Sequence, residues 1–390
     1  MTIELEQMAQ AEYQEKSDLR RDLNEYYQKG RARLESLDRF VRYHPDPSRL
    51  MRIGVTFAHK GIESVAEAMA DKKPWAAIMP GLNPSGLLHF GHKQVLDELL
   101  WLQKQGADIF IPISNEQTYL VGEANSLAES RRTAYENIIP GIIAMGFKPE
   151  KTHIFVDSDY PDIYNVAIDL SKHLSLNRVF GVFGFGKDQE GENPGTLFYR
   201  GAVQLAHILL PQYSEFGGVK PTLIPVGIDQ YPYIQLARDL AKNKSMNPPA
   251  AIFLKFALGL DGKGQKMSAS RPKSAIYLTD DPQTVLKKLK AAYTGGSVLA
   301  DFQREHGGIP DICPIHNLMM YHFAKDDGLG RRCSTGEILC SECKKEAGEQ
   351  ILNYLAKHQS ELAEANKRVN EFILNTPIRS IFNKCERGRR

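Results

Sequence analysis

A short apolar run and the loop that follows it decide the fold: Trp75-Ala-Ala-Ile-Met79, then Pro80-Gly-Leu-Asn-Pro-Ser-Gly86, then His89-Phe-Gly-His92. The apolar run predicts a buried strand, and the pattern from about His89 to Gln105 predicts a helix directly after the loop. A second apolar run, Ile109 to Ile113, predicts another strand. Strand, helix and strand in this order are typical of a parallel sheet.

The same alternation continues along the chain. Helical patterns are found over about Leu127 to Met145 and after Pro161, and strand-like runs are found at Thr152 to Val156 and Thr222 to Val226. Another helix is predicted from Tyr231. We therefore predict an α/β fold, a doubly wound parallel sheet of Rossmann type, with its ligand at the carboxyl ends of the strands.

Both flanks of this region are predicted to be helical. Residues 14–43 are rich in Glu, Arg and Leu at helical spacing, and His44-Pro-Asp-Pro47 ends that pattern because proline removes a donor. Strand-like runs stop after about Gly296, and a long charged helix is predicted from about Cys343 to Phe372. The expected division is an N-terminal helical extension over 1–70, a catalytic domain over 71–295 and an all-helical domain over 296–390.

Composition narrows the class of protein. The chain has 390 residues, and its 49 Lys and Arg against 47 Asp and Glu give a net charge of only +2. Contact with a nucleic acid would therefore come from local basic patches rather than from a global field. No apolar run approaches the roughly 18 residues that span a bilayer, so we expect a cytoplasmic protein without a membrane partner.

The two histidines at the start of the predicted helix form the first candidate site. A helix N-terminus presents free N–H groups, and Gly91 allows close backbone approach. His89 and His92 lie one turn apart and can both donate hydrogen bonds to phosphate oxygens. Alone, such a pair also suits an ordinary helix surface.

The second candidate site is the loop Lys266-Met-Ser-Ala-Ser270. It follows the glycine-rich stretch Asp261-Gly-Lys-Gly-Gln265, and Lys273 comes shortly after. A flexible loop with ammonium and hydroxyl groups can close over a triphosphate and neutralise charge on leaving pyrophosphate. Alone, this stretch also suits a solvated basic loop.

Together the two stretches resemble the paired signatures of the class I aminoacyl-tRNA synthetases, over roughly residues 75 to 380. Residues 226–233, with Arg238-Asp239 after them, are similar to the strand end of tryptophanyl-tRNA synthetases. Residues 182–185, residues 202–206 and the Lys-Met-Ser-Ala-Ser form itself resemble the archaeal and eukaryotic members. Tyrosine enzymes are the nearest relatives and remain the alternative, as does a synthetase-like RNA-binding paralogue.

This resemblance implies ATP-dependent activation of tryptophan and its transfer to tRNA, with ATP and Mg²⁺ as cofactors. It implies catalytic roles for His89, His92, Lys266, Ser268 and Ser270. It implies ATP binding by Ser85, His89, Gly91, His92, Gly227, Asp229, Lys266 and Met267. It implies tryptophan binding by Gln204, His207 and Gln230.

Some pocket positions depart from the family pattern. Ile78 stands where eukaryotic tryptophan enzymes carry a tyrosine, and Pro112 and Gln117 stand where they carry a glutamine and a glutamate. His207 stands where several tryptophan enzymes place an acidic residue that accepts the indole N–H. A neutral imidazole can accept one hydrogen bond, so His207 suits that role, and it equally suits a satisfied core histidine.

Four cysteines form a further candidate site: Cys313, Cys333, Cys340 and Cys343. Four soft ligands suit tetrahedral zinc or an iron–sulfur cluster, and His316 could replace a cysteine in a zinc site. The arrangement resembles a cluster-binding pattern of some bacterial tryptophan enzymes, which implies a structural [4Fe–4S] cluster. Zinc and ordinary reduced cysteines remain the alternatives.

The family resemblance also implies partners. The helical domain would read the tRNA anticodon, and the resemblance implies a homodimer. The basic residues near the C-terminus suit either phosphate contacts or a frayed tail; they are Lys384, Arg387, Arg389 and Arg390. Small-molecule nucleotidyltransferases share the two-histidine signature, but they are generally shorter and lack a helical tRNA-binding domain. A non-catalytic paralogue predicts damaged signatures, and both signatures are intact.

Overall fold

The computed structural model describes residues 2–183, 193–262 and 264–382. The strands are β1 (Glu35–Ser36), β2 (Thr56–Lys60), β3 (Ala76–Ile78), β4 (Asp108–Ile113), β5 (Thr152–Val156), β6 (Thr222–Gly227) and β7 (Ala250–Leu254). The four predicted strands, β3, β4, β5 and β6, lie within one residue of their expected bounds. The short strand β1 and the strands β2 and β7 were not predicted from the sequence.

The α-helices surround these strands in sequence. They are α1 (Thr2–Arg31), α2 (Asp38–Tyr43), α3 (Arg49–Arg52), α4 (Glu63–Ala70), α5 (Phe90–Lys104), α6 (Asn115–Leu120), α7 (Leu127–Thr133), α8 (Ile139–Ile143), α9 (Asp162–Ser171), α10 (Leu176–Phe183), α11 (Pro194–Phe198), α12 (Gln204–Leu209), α13 (Tyr231–Asn243), α14 (Pro282–Ala291), α15 (Ala300–His306), α16 (Pro314–His322), α17 (Gly328–Ser334), α18 (Cys340–Lys367) and α19 (Val369–Phe372). The long N-terminal helix and the helical C-terminal region agree with the predicted fold class.

The chain forms two compact units, and each unit combines segments that are distant in sequence. The first unit contains Met1–Phe57, Leu87–Gln94 and Lys255–Glu361. The second unit contains Ala58–Gly86, Val95–Leu254 and Leu362–Arg390. Helices α5 and α18 each pass from one unit into the other.

The sheet of the second unit is a mostly parallel, doubly wound sheet. Its strand order is β2-β7-β6-β3-β4-β5. Strand β3 pairs in parallel with β4 on one side and with β6 on the other, and β5 and β7 extend the sheet in parallel beyond them. The strand order therefore reverses between β3 and β6, where a doubly wound sheet binds its ligand at the carboxyl ends. This arrangement confirms the predicted fold class.

Strand β3 is the buried centre of this sheet. Ala76, Ala77 and Ile78 are all 0% exposed. Strand β7 is equally buried, from Ala250 to Leu254. Continuous apolar runs of this kind are expected where helices cover both faces of a parallel sheet. Strand β2 has His59 and Lys60 at its end, which obscured its strand character in the sequence.

The end of the chain's described part joins the edge of the sheet in the second unit. The backbone N–H of Leu374 donates to the Ile154 carbonyl at 2.7 Å, and the Tyr160 hydroxyl donates to the Thr376 carbonyl at 2.6 Å. Glu215 accepts from the backbone N–H groups of Arg379 and Ser380, each at 2.7 Å. Burial opposes ionisation of Glu215, but these hydrogen bonds outweigh it and lower its pKa to about 2.

Candidate active site

The histidine pair lies at the start of α5, within the first unit. His89 forms an antiparallel bridge with Tyr277. The Phe90 N–H donates to the Ile276 carbonyl at 3.3 Å, and the Leu278 N–H donates to the Leu88 carbonyl at 2.8 Å. Backbone pairing of 88–90 with 276–278 therefore places the pair beside the segment that follows the lysine loop.

Hydrogen bonds fix the proton positions on both imidazoles. The backbone N–H of His89 donates to Nδ1 of the His92 ring at 3.3 Å. The backbone N–H of Gly91 donates to Nδ1 of the His89 ring at 3.0 Å. Because both Nδ1 atoms accept, each neutral ring carries its proton on Nε2. The two rings stack with their centroids 3.9 Å apart.

Both histidines are neutral at physiological pH. Burial, with a smaller contribution from the neighbouring His92, lowers the pKa of His89 well below its ordinary value. Burial also lowers the pKa of His92 to about 4. The pair therefore offers two Nε2–H donors without a fixed positive charge, which suits hydrogen bonding to phosphate oxygens.

Gly91 makes room for one of these imidazoles. A Cβ atom on Gly91 would lie 2.9 Å from Cε1 and 3.0 Å from Nδ1 of His89. A side chain at this position would therefore displace the His89 ring. The sequence suggested that Gly91 allows close approach of a phosphate, and in the structure its missing side chain also leaves space for the His89 imidazole.

The lysine loop is attached to the first unit by short backbone hydrogen bonds. Lys266 forms an antiparallel bridge with Leu258, and the Met267 N–H donates to the Ala257 carbonyl at 2.7 Å. Met267 is only 5% exposed, whereas Lys266 is exposed. The methionine side chain therefore anchors the loop while the lysine lies at the surface.

Arg271 holds both ends of this loop and was not recognised in the sequence. Its Nη1 donates to Oδ2 of Asp261 at 2.6 Å and to Oε1 of Gln265 at 2.7 Å. Its Nη2 donates to the Lys266 carbonyl at 2.6 Å. The guanidinium fork thus closes the glycine-rich stretch onto the signature lysine.

The loop's serines form a second set of local contacts. The Ser268 N–H donates to Oγ of Ser274 at 3.1 Å, and the hydroxyls of Ser268 and Ser270 lie 2.9 Å apart. The Tyr277 hydroxyl donates to the Ala269 carbonyl at 3.0 Å. Tyr277 also pairs with the histidine segment, so the first unit brings the two signatures together.

The other predicted site residues lie in the second unit, around the carboxyl ends of β3 and β6. Ser85 is half-buried in the loop after β3. Gly227 is the last residue of β6, and exposed Asp229 follows it. The Gln230 side-chain amide donates to Oδ2 of Asp229 at 3.1 Å.

Helix α12 contributes Gln204 and His207, which are 4% and 1% exposed. They are three residues apart and therefore lie on the same side of the helix. Gly81, after β3, has φ +75, and a Cβ atom there would lie 3.1 Å from Nε2 of Gln204. Gln204 thus packs against the loop that follows the central strand.

A buried carboxylate contacts this helix and was missed in the sequence. Asp157 follows β5 directly and is 0% exposed. Its Oδ1 lies 3.0 Å from Nε2 of His207, and its Oδ2 accepts from the Tyr199 hydroxyl. An acidic residue directly after the predicted strand Thr152 to Val156 was the available signal, because such positions meet at the ligand-binding edge of the sheet.

The departures from the family pattern lie near the same edge. Ile78 and Pro112 are buried in β3 and β4, and neither has a polar side chain. Gln117 lies in α6. Its neighbour Glu116 is half-buried, and burial, with the nearby Asp157 carboxylate, raises the pKa of Glu116 to about 7.

The cysteines gather around one cavity in the first unit. Cys313 precedes α16, Cys333 lies in α17, and Cys340 begins α18 with Cys343 one turn later. Among the described residues, no three of these sulfur atoms lie within 4.8 Å of one another. Sulfur atoms around a single tetrahedral zinc ion would be about 3.8 Å apart. The four sulfur atoms are therefore not arranged at the spacing of a closed single-ion zinc site.

Neighbouring groups support this cavity. Gly308 packs on Cys333, since a Cβ atom there would lie 2.7 Å from the sulfur. Cys340 Sγ lies 3.5 Å from Oε1 of Gln303. Nε2 of His316 lies 2.8 Å from Oδ1 of Asp327, so that nitrogen is already paired.

Several predicted residues lie outside the described part of the chain. They are Gly184 and Phe185 of the 182–185 stretch, and Lys384, Arg387, Arg389 and Arg390 of the basic tail. In the part that the structure describes, no helix is both long and apolar enough to cross a membrane.

Comparison with known proteins gives consistent matches. A family model described as "tRNA synthetases class I (W and Y)" matches residues 72–356. A tryptophan–tRNA ligase of Pyrobaculum calidifontis is 35% identical over 343 residues, covering 86% of this chain and 89% of the relative. The tryptophan–tRNA ligase of Methanocaldococcus jannaschii is 35% identical over 332 residues, covering 83% of this chain and 87% of the relative.

A solved structure is similar over the same extent. The tryptophanyl-tRNA synthetase of the hyperthermophilic archaeon Aeropyrum pernix K1 superimposes with a TM-score of 0.77 at 34% sequence identity. The similarity covers 85% of this chain and 90% of that one. It therefore includes both the sheet and much of the helical region.

The ionisation of Glu116 predicts a pH-dependent difference in stability for Glu116→Gln. A raised carboxyl pKa means that Glu116 contributes most to stability below about pH 4.5 and that this contribution is lost as the pH rises through about 7. We expect the free energy of unfolding of the variant to exceed that of the unaltered chain by about 1 kcal/mol at about pH 8.5, less than the full pKa shift would give because solvent screens the half-exposed carboxylate. The difference should narrow toward about pH 5. Thermal unfolding across this range measures it.

Exposed Glu123 supplies the matched control, since Glu123→Gln makes the same chemical change on the surface. We expect the stability of that variant relative to the unaltered chain not to change with pH in this way. Equal stability of Glu116→Gln and the unaltered chain at every pH would contradict the interpretation.

Proposed function

The chain belongs to the tryptophanyl-tRNA synthetases of class I, a family of tryptophan–tRNA ligases, and from that premise we propose which residues carry the reaction. The relatives described above are tryptophan enzymes, which decides the substrate in favour of tryptophan over tyrosine. ATP and tRNA are the other two substrates. Residue roles are assigned below from the chemistry of each step.

The reaction has two steps, and neither needs a protein nucleophile. The tryptophan carboxylate attacks the α-phosphorus of ATP, and the bond to the leaving pyrophosphate breaks. The terminal ribose hydroxyl of tRNA then attacks the carbonyl of the adenylate and releases AMP. Catalysis of such phosphoryl chemistry relies on positioning and on neutralising charge.

The histidine pair is assigned to the phosphates of ATP. The observation that carries this assignment is the occupation of both Nδ1 atoms by backbone N–H groups, which leaves Nε2–H of His89 and of His92 as donors. The two neutral donors can form hydrogen bonds with the phosphate oxygens and stabilise the negative charge that develops there in the transition state. Gly91 keeps the His89 ring in place, and Ser85 is assigned to ATP binding in the loop before the pair.

The lysine loop is assigned to the leaving pyrophosphate. The ammonium group of Lys266 is assigned to neutralising the charge on pyrophosphate. The buried Met267 side chain anchors the loop. Ser268 and Ser270 are assigned to holding the loop's shape, through the contact between their hydroxyls. Mg²⁺ is expected to bind as a complex with ATP, because its ligands are usually one or two carboxylates together with phosphate oxygens of the substrate.

Residues of the second unit are assigned to the ribose and to tryptophan. Gly227 ends β6 where a backbone can approach the nucleotide, and Asp229 can accept from a ribose hydroxyl. Gln204, His207 and Gln230 are assigned to tryptophan. Support comes from the burial of Gln204 and His207 on one side of α12, at the ligand-binding edge of the sheet.

The cysteine cavity is assigned to a structural [4Fe–4S] cluster. The support is that four thiols line one cavity and are not at the spacing of a single tetrahedral ion, and Cys313, Cys333, Cys340 and Cys343 would hold the cluster. When bound, the cluster would supply a structural cross-link between the start of α16, α17 and α18. Zinc is the second candidate.

The helical region over 296–390 is assigned to reading the tRNA anticodon. The proposed domains are therefore an N-terminal extension over 1–70, a catalytic domain over 71–295 and this helical domain. A homodimer is proposed from family membership alone. The basic tail residues Lys384, Arg387, Arg389 and Arg390 are assigned to phosphate contacts with tRNA.

The role of Lys266 predicts a selective loss of rate. Lys266→Ala is expected to lower the rate of tryptophan-dependent ATP–pyrophosphate exchange on the order of 100-fold or more, because a charge that stabilises the leaving group is removed. The affinity for tryptophan should change less than about threefold. Exchange kinetics and equilibrium binding of tryptophan measure the two effects.

Lys287→Ala is the control, since Lys287 is an exposed lysine on α14. Its exchange rate should equal that of the unaltered enzyme. Unchanged turnover in Lys266→Ala would overturn the assignment of this loop.

The cluster assignment predicts four iron atoms and inorganic sulfide in protein purified or reconstituted without oxygen, with the visible absorbance of an iron–sulfur centre. Cys333→Ser should remove most of the iron and lower the melting temperature, whereas Cys385→Ser, at the fifth cysteine, should retain both. Stoichiometric zinc without iron would favour the second candidate, and a metal-free protein of unchanged stability would contradict both.

A further inference from the structure

We infer that Asp157 is a positioning residue that holds His207 in one tautomer, with Nδ1 of His207 accepting the hydrogen bond of the tryptophan indole N–H. The inference rests on the proposed function and identifies how the same site reads its substrate. Asp157 itself does not touch the substrate in this account. It acts through the imidazole.

The geometry around Asp157 leaves both of its oxygens occupied. Oδ1 lies 3.0 Å from Nε2 of His207, and Oδ2 accepts from the Tyr199 hydroxyl. Asp157 and the His207 side chain are both 0% exposed, so no solvent competes for these bonds. Tyr199 remains a donor, because burial and the Asp157 charge raise its pKa well above the ordinary value.

A carboxylate oxygen accepts only, so the ring nitrogen that faces it must carry the proton. With the proton on Nε2, Nδ1 of the neutral ring keeps its lone pair. That Nδ1 atom is buried and has no hydrogen-bond partner in the described structure. A buried acceptor without a partner costs free energy, and in a ligand pocket it indicates a donor supplied by the ligand.

The location of His207 connects this acceptor to the proposed tryptophan site. His207 lies one turn after Gln204 on the same side of α12, and Gln204 packs on Gly81 after β3. Asp157 follows β5, in the same parallel sheet. The acceptor therefore belongs to the edge formed by the carboxyl ends of the strands, where the ligand binds.

The chemistry of the acceptor selects the indole ring. An indole N–H donates one hydrogen bond and accepts none, which matches a single lone pair. Ile78 and Pro112, buried at the same edge, have no polar side-chain atoms to compete for it. A substrate ring without a donor would leave Nδ1 without a partner, and sites that lose a buried hydrogen bond in this way discriminate strongly.

The test compares tryptophan with its sulfur isostere 3-(benzothiophen-3-yl)alanine, which lacks the N–H, in ATP–pyrophosphate exchange. In the unaltered enzyme we expect kcat/KM to favour tryptophan by about 10- to 100-fold. Asp157→Asn presents an amide N–H to Nε2 while its oxygen keeps Tyr199, so the ring proton moves to Nδ1. We expect the KM for tryptophan to rise about tenfold, kcat to change little, and the preference over the isostere to approach one.

Two further variants keep the test decisive if Asp157→Asn folds poorly. His207→Leu should abolish the preference, and His207→Gln, whose side-chain oxygen can accept the N–H, should restore part of it. Asp159→Asn is the matched control two residues away, because the Asp159 carboxylate accepts from Arg131 and Tyr135 instead. Its preference should equal that of the unaltered enzyme.

The outcomes separate this inference from the proposed function. Normal tryptophan exchange with an unchanged preference in Asp157→Asn and His207→Leu would overturn the inference and identify the pair as a core contact. Absence of tryptophan-dependent exchange in the unaltered protein would overturn the ligase function as well. Loss of preference in both variants with partial rescue by His207→Gln supports the inference.

Discussion

The backbone hydrogen bonds between residues 88–90 and 276–278 are the interaction on which the proposed ATP chemistry depends. They join the start of α5 to the segment after the lysine loop, across nearly two hundred residues of sequence. Tyr277 belongs to this pairing and also binds the loop through the Ala269 carbonyl. The histidine pair and the lysine loop are consequently parts of one compact unit, although strands β4 to β7 lie between them in sequence.

Within that unit, burial rather than a neighbouring charge is the main cause of the lowered pKa values of the two histidines. Burial keeps His89 and His92 neutral, and backbone N–H groups direct their protons to Nε2. In the proposed function, positive charge at the phosphates comes from Lys266, on an exposed loop whose backbone Arg271 binds. In the second unit the same principle applies to Asp157, whose buried carboxylate sets the tautomer of His207.

The sequence predicted the parts of this molecule that depend on local patterns. Strands β4, β5 and β6 are apolar runs between helical patterns, and the histidine and lysine signatures have fixed spacing. Arg271, Asp157 and Tyr199 could not be predicted in the same way, because their importance lies in partners that only the fold brings close. For Asp157, the partners Tyr199 and His207 are 42 and 50 residues away. The division into two units built from separated segments is likewise a property of long-range contacts.

Pyrophosphate exchange measured with each of the 20 amino acids in turn shows whether this chain activates tryptophan with ATP. We expect exchange that depends on tryptophan and that is at least about tenfold weaker with tyrosine, since the inferred partner of the buried acceptor on α12 is an indole N–H. Exchange with tyrosine alone, or with none of the amino acids, would contradict it.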